Sequence, residues 1–243
     1  MKISELFYSV QGEGKRTGYP SFFIRTNYCN LRCKFTSGNL CDSAYTSWYP
    51  EDENNIGDIP IEKIIDEYKR YEPADVVITG GEPVLQLREL TGLCKGIKSL
   101  NNNIFITVET NGTFFGEYVS YANLISISPK LSSSTPAGSE YEKSHEKNRI
   151  NIETLKKYHE SSQRNETDIQ WKFVVNSEND IDEIKFLQNE IGIENRNIFL
   201  MPEGISEKDL TEKSKLVVEL CKKHRYNFTH RLHILIWGNK RGF

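Results

Sequence analysis

Three of the five cysteines fall in one short stretch, Cys29 to Ser43, which reads C-N-L-R-C-K-F-T-S-G-N-L-C-D-S. Cys29 and Cys33 are four residues apart, and Cys41 follows after seven intervening residues. Thiolates this close on one loop can converge on a single metal centre. Soft sulfur ligands select zinc, copper(I) or iron–sulfur clusters. A structural zinc site closes with four ligands, and a four-iron cluster usually takes four thiolates. Only three cysteines are local here. Cys94 and Cys221 sit inside apolar helical patterns and read as core residues. Three thiolates on a four-iron cluster leave one iron open to a ligand that is not protein. Three unrelated core cysteines would be the bland alternative. A segment carrying Asn30, Arg32, Lys34, Thr36, Ser37, Gly38 and Asn39 is a loop, however, and loops do not hide cysteines in a core.

Other polar groups recur where strands are expected to end. Gln11, Gly12, Glu13 and Gly14 form a glycine-rich turn that lets backbone approach a ligand; an ordinary hairpin turn would read the same. Arg25 lies near the end of the apolar run Ser21–Thr26, so it needs either a ligand carboxylate or an internal salt bridge. Gly80, Gly81, Glu82 and Pro83 follow a β-branched run, and Glu82 is a candidate acceptor for an ammonium. The five histidines (His145, His159, His224, His230 and His233) have no zinc-ligand spacing to the cysteines and read mostly as surface or structural residues.

The elements that must position these groups alternate along the chain. Strands are predicted at Ile3–Tyr8, Ser21–Thr26, Asp75–Thr79, Ile104–Glu109, Leu124–Ser128, Ile169–Val175 and Asn197–Leu200, with a closing strand and tail over His230–Phe243. Apolar residues at helical spacing predict helices over Ile61–Tyr71, Leu85–Lys98, Ile150–Glu160 and Asp180–Ile191. A further helix runs to about His224, opened by Ser206 with Asp209 in the manner of a capping box. Trp48–Pro60 reads as acidic and irregular, and Leu131–Asn148 as a mobile loop. Strand–helix alternation with polar groups at strand C-termini predicts an α/β fold, a partial (incomplete) parallel β/α barrel with its site at one end. Eight-fold closure is too much for this length.

The chain has 243 residues, 31 basic and 34 acidic, for a net charge of −3. One domain spanning 1–243 is expected. The charge balance gives no support for a nucleic-acid partner. No apolar run approaches the roughly 18 residues that span a bilayer. The N-terminus lacks the apolar core of a signal peptide, so a cytoplasmic location is expected. There, clustered cysteines favour metal or redox chemistry over disulfides.

Taken in order, the motifs S-V-Q-G-E-G (9–14), F-I-R ahead of Cys29, C-N-L-x-C (29–33), C-D-S (41–43), T-G-G-E-P (79–83), E-T-N-G (109–112), S-P-K (128–130) and the closing L-H-I-L-I-W-G-N-K-R-G-F are similar to those of one family. The chain resembles, nearly end to end, the 7-carboxy-7-deazaguanine synthase family of radical S-adenosylmethionine (SAM) enzymes. The resemblance implies a [4Fe–4S] cluster on Cys29, Cys33 and Cys41 that binds SAM at its open iron. It implies reductive cleavage to a 5′-deoxyadenosyl radical, which takes a hydrogen from C6 of 6-carboxy-5,6,7,8-tetrahydropterin. Ring contraction with loss of ammonia then gives 7-carboxy-7-deazaguanine, a precursor of queuosine and archaeosine, and the hydrogen returns to regenerate SAM. It further implies Mg2+ on Ser43. Val10, Gln11, Gly12, Thr79 and the Phe243 carboxylate are expected against the pterin, and Arg25 against its carboxylate. Gly81 and Glu82 are expected at the SAM amino group, with Ser128, Pro129, Lys130 and Met201, Pro202, Glu203, Gly204 along the rest of SAM. A flavodoxin- or ferredoxin-type reductant and a homodimer complete the expectation.

One departure stands out. Most radical SAM proteins read C-x3-C-x2-C, and Thr36 stands where the third cysteine would be. Cys41 is assigned because Asp42 and Ser43 follow it, so the insertion Thr36–Leu40 is expected to bulge without moving the cluster. A glycyl-radical activating protein is the nearest enzymatic alternative, but no ferredoxin-like cysteine set or docking domain is present. A zinc-stabilised binding module would need a fourth ligand.

Overall fold

The structure, a computed structural model, describes residues 1–71 and 75–243. Nine strands form one sheet: β1 (Lys2–Val10), β2 (Pro20–Thr26), β3 (Gly57–Asp58), β4 (Asp75–Gly80), β5 (Ile106–Thr110), β6 (Leu124–Ile127), β7 (Asp168–Val175), β8 (Ile198–Pro202) and β9 (Asn227–Phe228). Their order is β3-β1-β2-β4-β5-β6-β7-β8-β9. From β2 to β9 every neighbouring pair is parallel, while β1 is antiparallel to both β2 and β3. Each crossover steps the same way, and right-handed connections then place all the helices on one face of the sheet. That is the winding of a barrel rather than of a doubly wound sheet. The edge strands β3 and β9 do not pair with each other, so the barrel stays incomplete, as expected.

Among the described residues eight α-helices accompany the strands: α1 (Ala44–Ser47), α2 (Ile61–Tyr68), α3 (Leu87–Leu100), α4 (Glu142–Asn148), α5 (Ile152–Gln163), α6 (Asp180–Ile191), α7 (Glu207–His224) and α8 (Leu232–Trp237). The apolar stripes read from the sequence are the buried ones: Leu90, Leu93, Cys94 and Ile97 on α3, and Ile181, Ile184, Leu187 and Ile191 on α6. They join Val76, Ile78, Ile106, Val108, Trp171 and Phe173 of the strands in one core. Cys94 and Cys221 are buried core residues. Ser206 caps α7 by accepting from Asp209 N. Among the described residues no helix is long and apolar enough to cross a membrane.

Two expectations fail. Leu131–Asn148 is not one loop: it contains a short 3-10 turn at Ser132–Ser134 and α4, which buries His145 against the cysteine loop. Glu183 of α6 anchors the segment from outside: Ser132 N donates to it, and Arg149 bridges it to Glu146 within the segment. The closing segment is not a strand either. β9 ends at Phe228, and the run L-H-I-L-I-W forms α8, in which Ile234 alone is fully buried. An apolar run past a sheet edge has no ladder to join, and a helix satisfies its own backbone.

Candidate active site

A cavity lies inside the curl of the sheet. It is walled by Arg25 of β2, Thr79 of β4, Glu109 of β5, Lys172 of β7 and Met201 of β8. The cysteine loop roofs it and the 11–18 turn floors it. This is the position that active sites take in parallel barrels, above the C-terminal strand ends.

The roof begins where β2 ends. Tyr28 adopts a left-handed conformation (φ 71°) that non-glycine residues rarely take. This turns its carbonyl onto the strand-end loop of β4, where it accepts from Glu82 N at 2.8 Å. A side chain at Gly81 would collide with that same carbonyl, so only glycine fits. Downstream, the inserted residues close as a hairpin. Lys34 bridges Leu40, Phe35 N donates to Asn39 O at 2.8 Å, and Cys41 N donates to Cys33 O at 3.2 Å. Cys33 and Cys41 therefore stand side by side at the hairpin's base, and the extra chain loops out beyond them.

The hairpin is tied to the far wall. Asn39 Nδ2 donates to Glu203 Oε1 at 2.9 Å, Asn176 Nδ2 donates to Thr36 Oγ1 at 2.6 Å, and Phe35 packs with Val174 and Met201. The three cysteines all line the cavity. Burial, with Glu82 adding to it, pushes the Cys29 thiol up to about 12, and burial also raises Cys33 and Cys41. Lys130 opposes the rise at all three. Buried thiols held neutral become good ligands once a metal displaces the proton. Among the described residues no three His, Cys, Asp or Glu side chains are grouped as ligands of one ion. Three soft donors opening onto one cavity, with no hard-oxygen set among them, fit an iron–sulfur cluster.

Not every expected SAM contact faces this space. Gly81, Ser128, Lys130 and Met201 line it; Glu82, Pro129, Pro202, Glu203 and Gly204 do not. Glu82 departs most clearly from its expected role. It is fully buried and accepts from Val84 N (3.0 Å), Thr110 Oγ1 (2.8 Å) and Asn111 N (2.7 Å). Its carboxylate thus holds the strand-end loops of β4 and β5 together instead of reaching an ammonium. Glu203 is likewise occupied by Asn39 and Lys213.

The floor is the 11–18 turn. It is the β1–β2 hairpin connection, and it also crosses beneath the barrel to the opposite strands. Lys15 N donates to Gln170 Oε1 at 2.7 Å, Gly14 N to Thr229 Oγ1 at 2.6 Å, and Leu232 N to Gly12 O at 3.0 Å. Gly12 has no room for a side chain because His233 lies directly against it. Val10, Gln11, Gly12, Thr79, Arg25, Ser43 and Phe243 all line the cavity. Arg25 has the internal salt bridge, its Nε donating to Glu5 Oε2 at 2.8 Å, and the residue lines the cavity.

Sequence reasoning missed the charges around this floor. Lys172 pairs with Glu13 and lies 3.4 Å from Glu109 Oε1. Arg231 reaches Asp42 Oδ2 at 2.9 Å and Glu13 Oε1 at 3.7 Å. Thr79 Oγ1 and Gln11 Nε2 complete the shell of Glu109, at 2.8 and 3.2 Å. Burial works against every charge here, yet the pairing prevails: Lys172 is raised by Glu109 and Glu13, and Asp42 is lowered by Arg231, His233 and Arg25. Burial depresses His233, against the opposing pull of Glu13 and Asp42. Lys172 within an apolar strand was a signal in the sequence. Arg231 and His233, in an unpatterned tail, gave none.

Residues 10–151 match the family described as a 4Fe-4S single cluster domain. The 7-carboxy-7-deazaguanine synthase of Halobacterium salinarum is 39% identical, over 98% of this chain and 91% of that protein. The synthase of Rhodopirellula baltica is 35% identical, over 99% and 88%. The crystal structure of QueE from Escherichia coli superposes with a TM-score of 0.67 over 95% of this chain and 93% of that one; at 23% identity it speaks to the fold alone. Identity at this level over nearly the whole length of both chains means that the protein belongs to the 7-carboxy-7-deazaguanine synthase family of radical SAM enzymes.

Proposed function

We propose that the enzyme converts 6-carboxy-5,6,7,8-tetrahydropterin to 7-carboxy-7-deazaguanine in this one cavity, with the cluster and SAM under the roof and the pterin on the floor. One observation carries the reading: three thiols and a set of paired charges line the same space. When bound, the cluster with SAM supplies a carbon-centred radical that can take a hydrogen from the substrate's C6. The chain's own part is placement and exclusion. Cys29, Cys33 and Cys41 hold the cluster, and the close approach of backbone at Gly81 leaves room for SAM's amino acid end. Lys130, whose Nζ donates to Ser128 Oγ at 3.0 Å, supplies positive charge beside the thiolates.

On the floor, the Nη groups of Arg25 have no hydrogen-bond partner among the described residues, and they are free for the substrate carboxylate. Glu109, Gln11 and His233 present acceptors and donors to the pterin ring. Ser43 offers a hard oxygen for Mg2+. Asp42 beside it is already engaged by Arg231, so the remaining Mg2+ ligands come from substrate and water. The reading includes a flavodoxin- or ferredoxin-type electron donor, a homodimer, a cytoplasmic location and a single domain over 1–243. Anaerobic turnover of reconstituted protein with SAM, dithionite, Mg2+ and the tetrahydropterin, read by mass spectrometry, tests it. Product at the mass of 7-carboxy-7-deazaguanine is expected. SAM cleavage without that product would mean that the substrate is wrong.

A further inference from the structure

Glu5 on β1 is a node that the reaction scheme leaves unused. Its side chain is 10% exposed and serves three parts of the chain. Oε2 accepts from Arg25 Nε at 2.8 Å and from the Tyr45 hydroxyl at 2.9 Å. Oε1 accepts from Arg241 Nε at 2.9 Å. Arg241 belongs to the last residues, 238–243, where Gly238 and Gly242 both have left-handed φ. Among the described residues, this tail's hydrogen bonds to the body beyond α8 all come from Arg241. Besides Glu5 it reaches Asp52 Oδ1 (3.2 Å), Ser4 Oγ (3.3 Å), Asn54 O (3.2 Å) and Asn55 Oδ1 (3.1 Å), and it lies over the Tyr45 ring at 4.1 Å. Two residues later Phe243 lines the cavity.

An arginine and a carboxylate left to themselves form a two-pronged pair. Here Arg241 occupies Glu5 Oε1, so Arg25 is limited to the single Nε–Oε2 bond and keeps its Nη groups for the cavity. We propose that Arg241 is a positioning residue for substrate recognition: by holding one oxygen of Glu5 it prevents Arg25 from closing onto Glu5. This rests on the reading that Arg25 takes the substrate carboxylate. Without Arg241, Glu5 competes with the substrate for the Arg25 fork.

The test is equilibrium binding to the reconstituted, SAM-loaded protein of two probes, pterin-6-carboxylate and unsubstituted pterin. Arg241→Ala is expected to weaken pterin-6-carboxylate about tenfold, within the range for one charge-assisted hydrogen bond, while leaving pterin and SAM affinities unchanged. Arg241→Lys, which keeps a donor for Glu5, is expected to recover most of the loss and guards against a folding defect. Equal weakening of both probes, or no weakening of either, overturns the proposal. Arg25→Ala is the separate control. If it leaves pterin-6-carboxylate binding unchanged, the carboxylate reading itself is wrong. If it weakens that binding while Arg241→Ala does not, Arg25 keeps its role and the coupling through Glu5 is refuted.

Discussion

The cysteine loop and the 11–18 turn close the same cavity from opposite sides with opposite chemistry. The roof presents thiols that burial keeps neutral and that have no partner charge of their own beyond Lys130 nearby. The floor and the wall beside it present Glu13, Glu109, Lys172 and Arg231, already paired with one another and, through Arg231, with Asp42 of the roof. The floor is complete as folded. The roof is complete only when it holds a cluster, because buried thiols gain strong partners only as thiolates on metal. The contrast teaches a division of labour. A site that must load a reactive group is left chemically open, and a site that must orient a charged ring is locked beforehand.

If this division is right, damage to the roof removes the cluster and spares the fold, whereas damage to the floor weakens the fold itself. The largest effect is expected from Cys41→Ala: iron per chain should fall to background after reconstitution, with apo-protein melting little changed. Iron retained at the parent level would mean that the hairpin does not deliver Cys41 to the cluster. Next comes Lys172→Met. It takes the nearest cation from Glu13 and Glu109, leaving Glu13 with Arg231 at 3.7 Å and Glu109 with neutral donors, and loss of one partner from a buried ion pair costs about 3–5 kcal/mol. Chemical denaturation should show this loss in apo- and cluster-loaded protein alike; a loss confined to the loaded form would erase the distinction between roof and floor.

Asn39→Ala probes how the hairpin is held. It removes a bond to the Glu203 carboxylate, worth about 1–2 kcal/mol, and leaves Glu203 paired with Lys213. The readout is proteolysis within 34–41, expected to quicken while the core melting temperature moves little. Unchanged proteolysis would show that Phe35 and the Asn176–Thr36 hydrogen bond secure the hairpin without Asn39.

The smallest effect is a pH dependence of the roof. Cys29 is raised from about 9 to about 12, so the folded apo-protein keeps protons that the unfolded chain loses. This contribution is whole below pH 9 and is lost as pH rises toward 12. By pH 10 the loss amounts to about 1.4 kcal/mol for one thiol. Apo-protein stability should decline less steeply from pH 8.5 to 10 in Cys29→Ser than in the parent, and equal slopes would place the titration elsewhere.

The sheet was legible because its strands are β-branched runs that differ sharply from the helical stripes between them. Asp75–Gly80 and Asp180–Ile191 were readable almost to the residue. Local motifs likewise marked the cysteines, Gly81, Arg25 and the Q-G-E-G turn as groups that share one site. Three kinds of feature could not be read. Glu82 and Glu203 look like ligand-facing carboxylates in sequence, but their direction is decided by loop amides and by Asn39, far away along the chain. Arg231 and His233 sit in a segment whose apolar run reads as a strand. Their place follows from the Gly12 carbonyl and the close packing at Gly12, contacts between residues more than two hundred positions apart. The insertion 36–40 read as a disturbance of the cluster motif, and only the Lys34–Leu40 bridge shows why the cysteines on either side stay neighbours.

The central claim is that the roof's radical chemistry acts on a ring held by the floor. It is tested most directly by turning over tetrahydropterin substrate deuterated at C6 under anaerobic conditions and analysing the recovered SAM. Deuterium at the 5′ carbon of SAM, accumulating together with 7-carboxy-7-deazaguanine, is the predicted result. Product formation with unlabelled SAM would contradict it, because the hydrogen would then have left C6 by a route that does not join the two halves of the cavity.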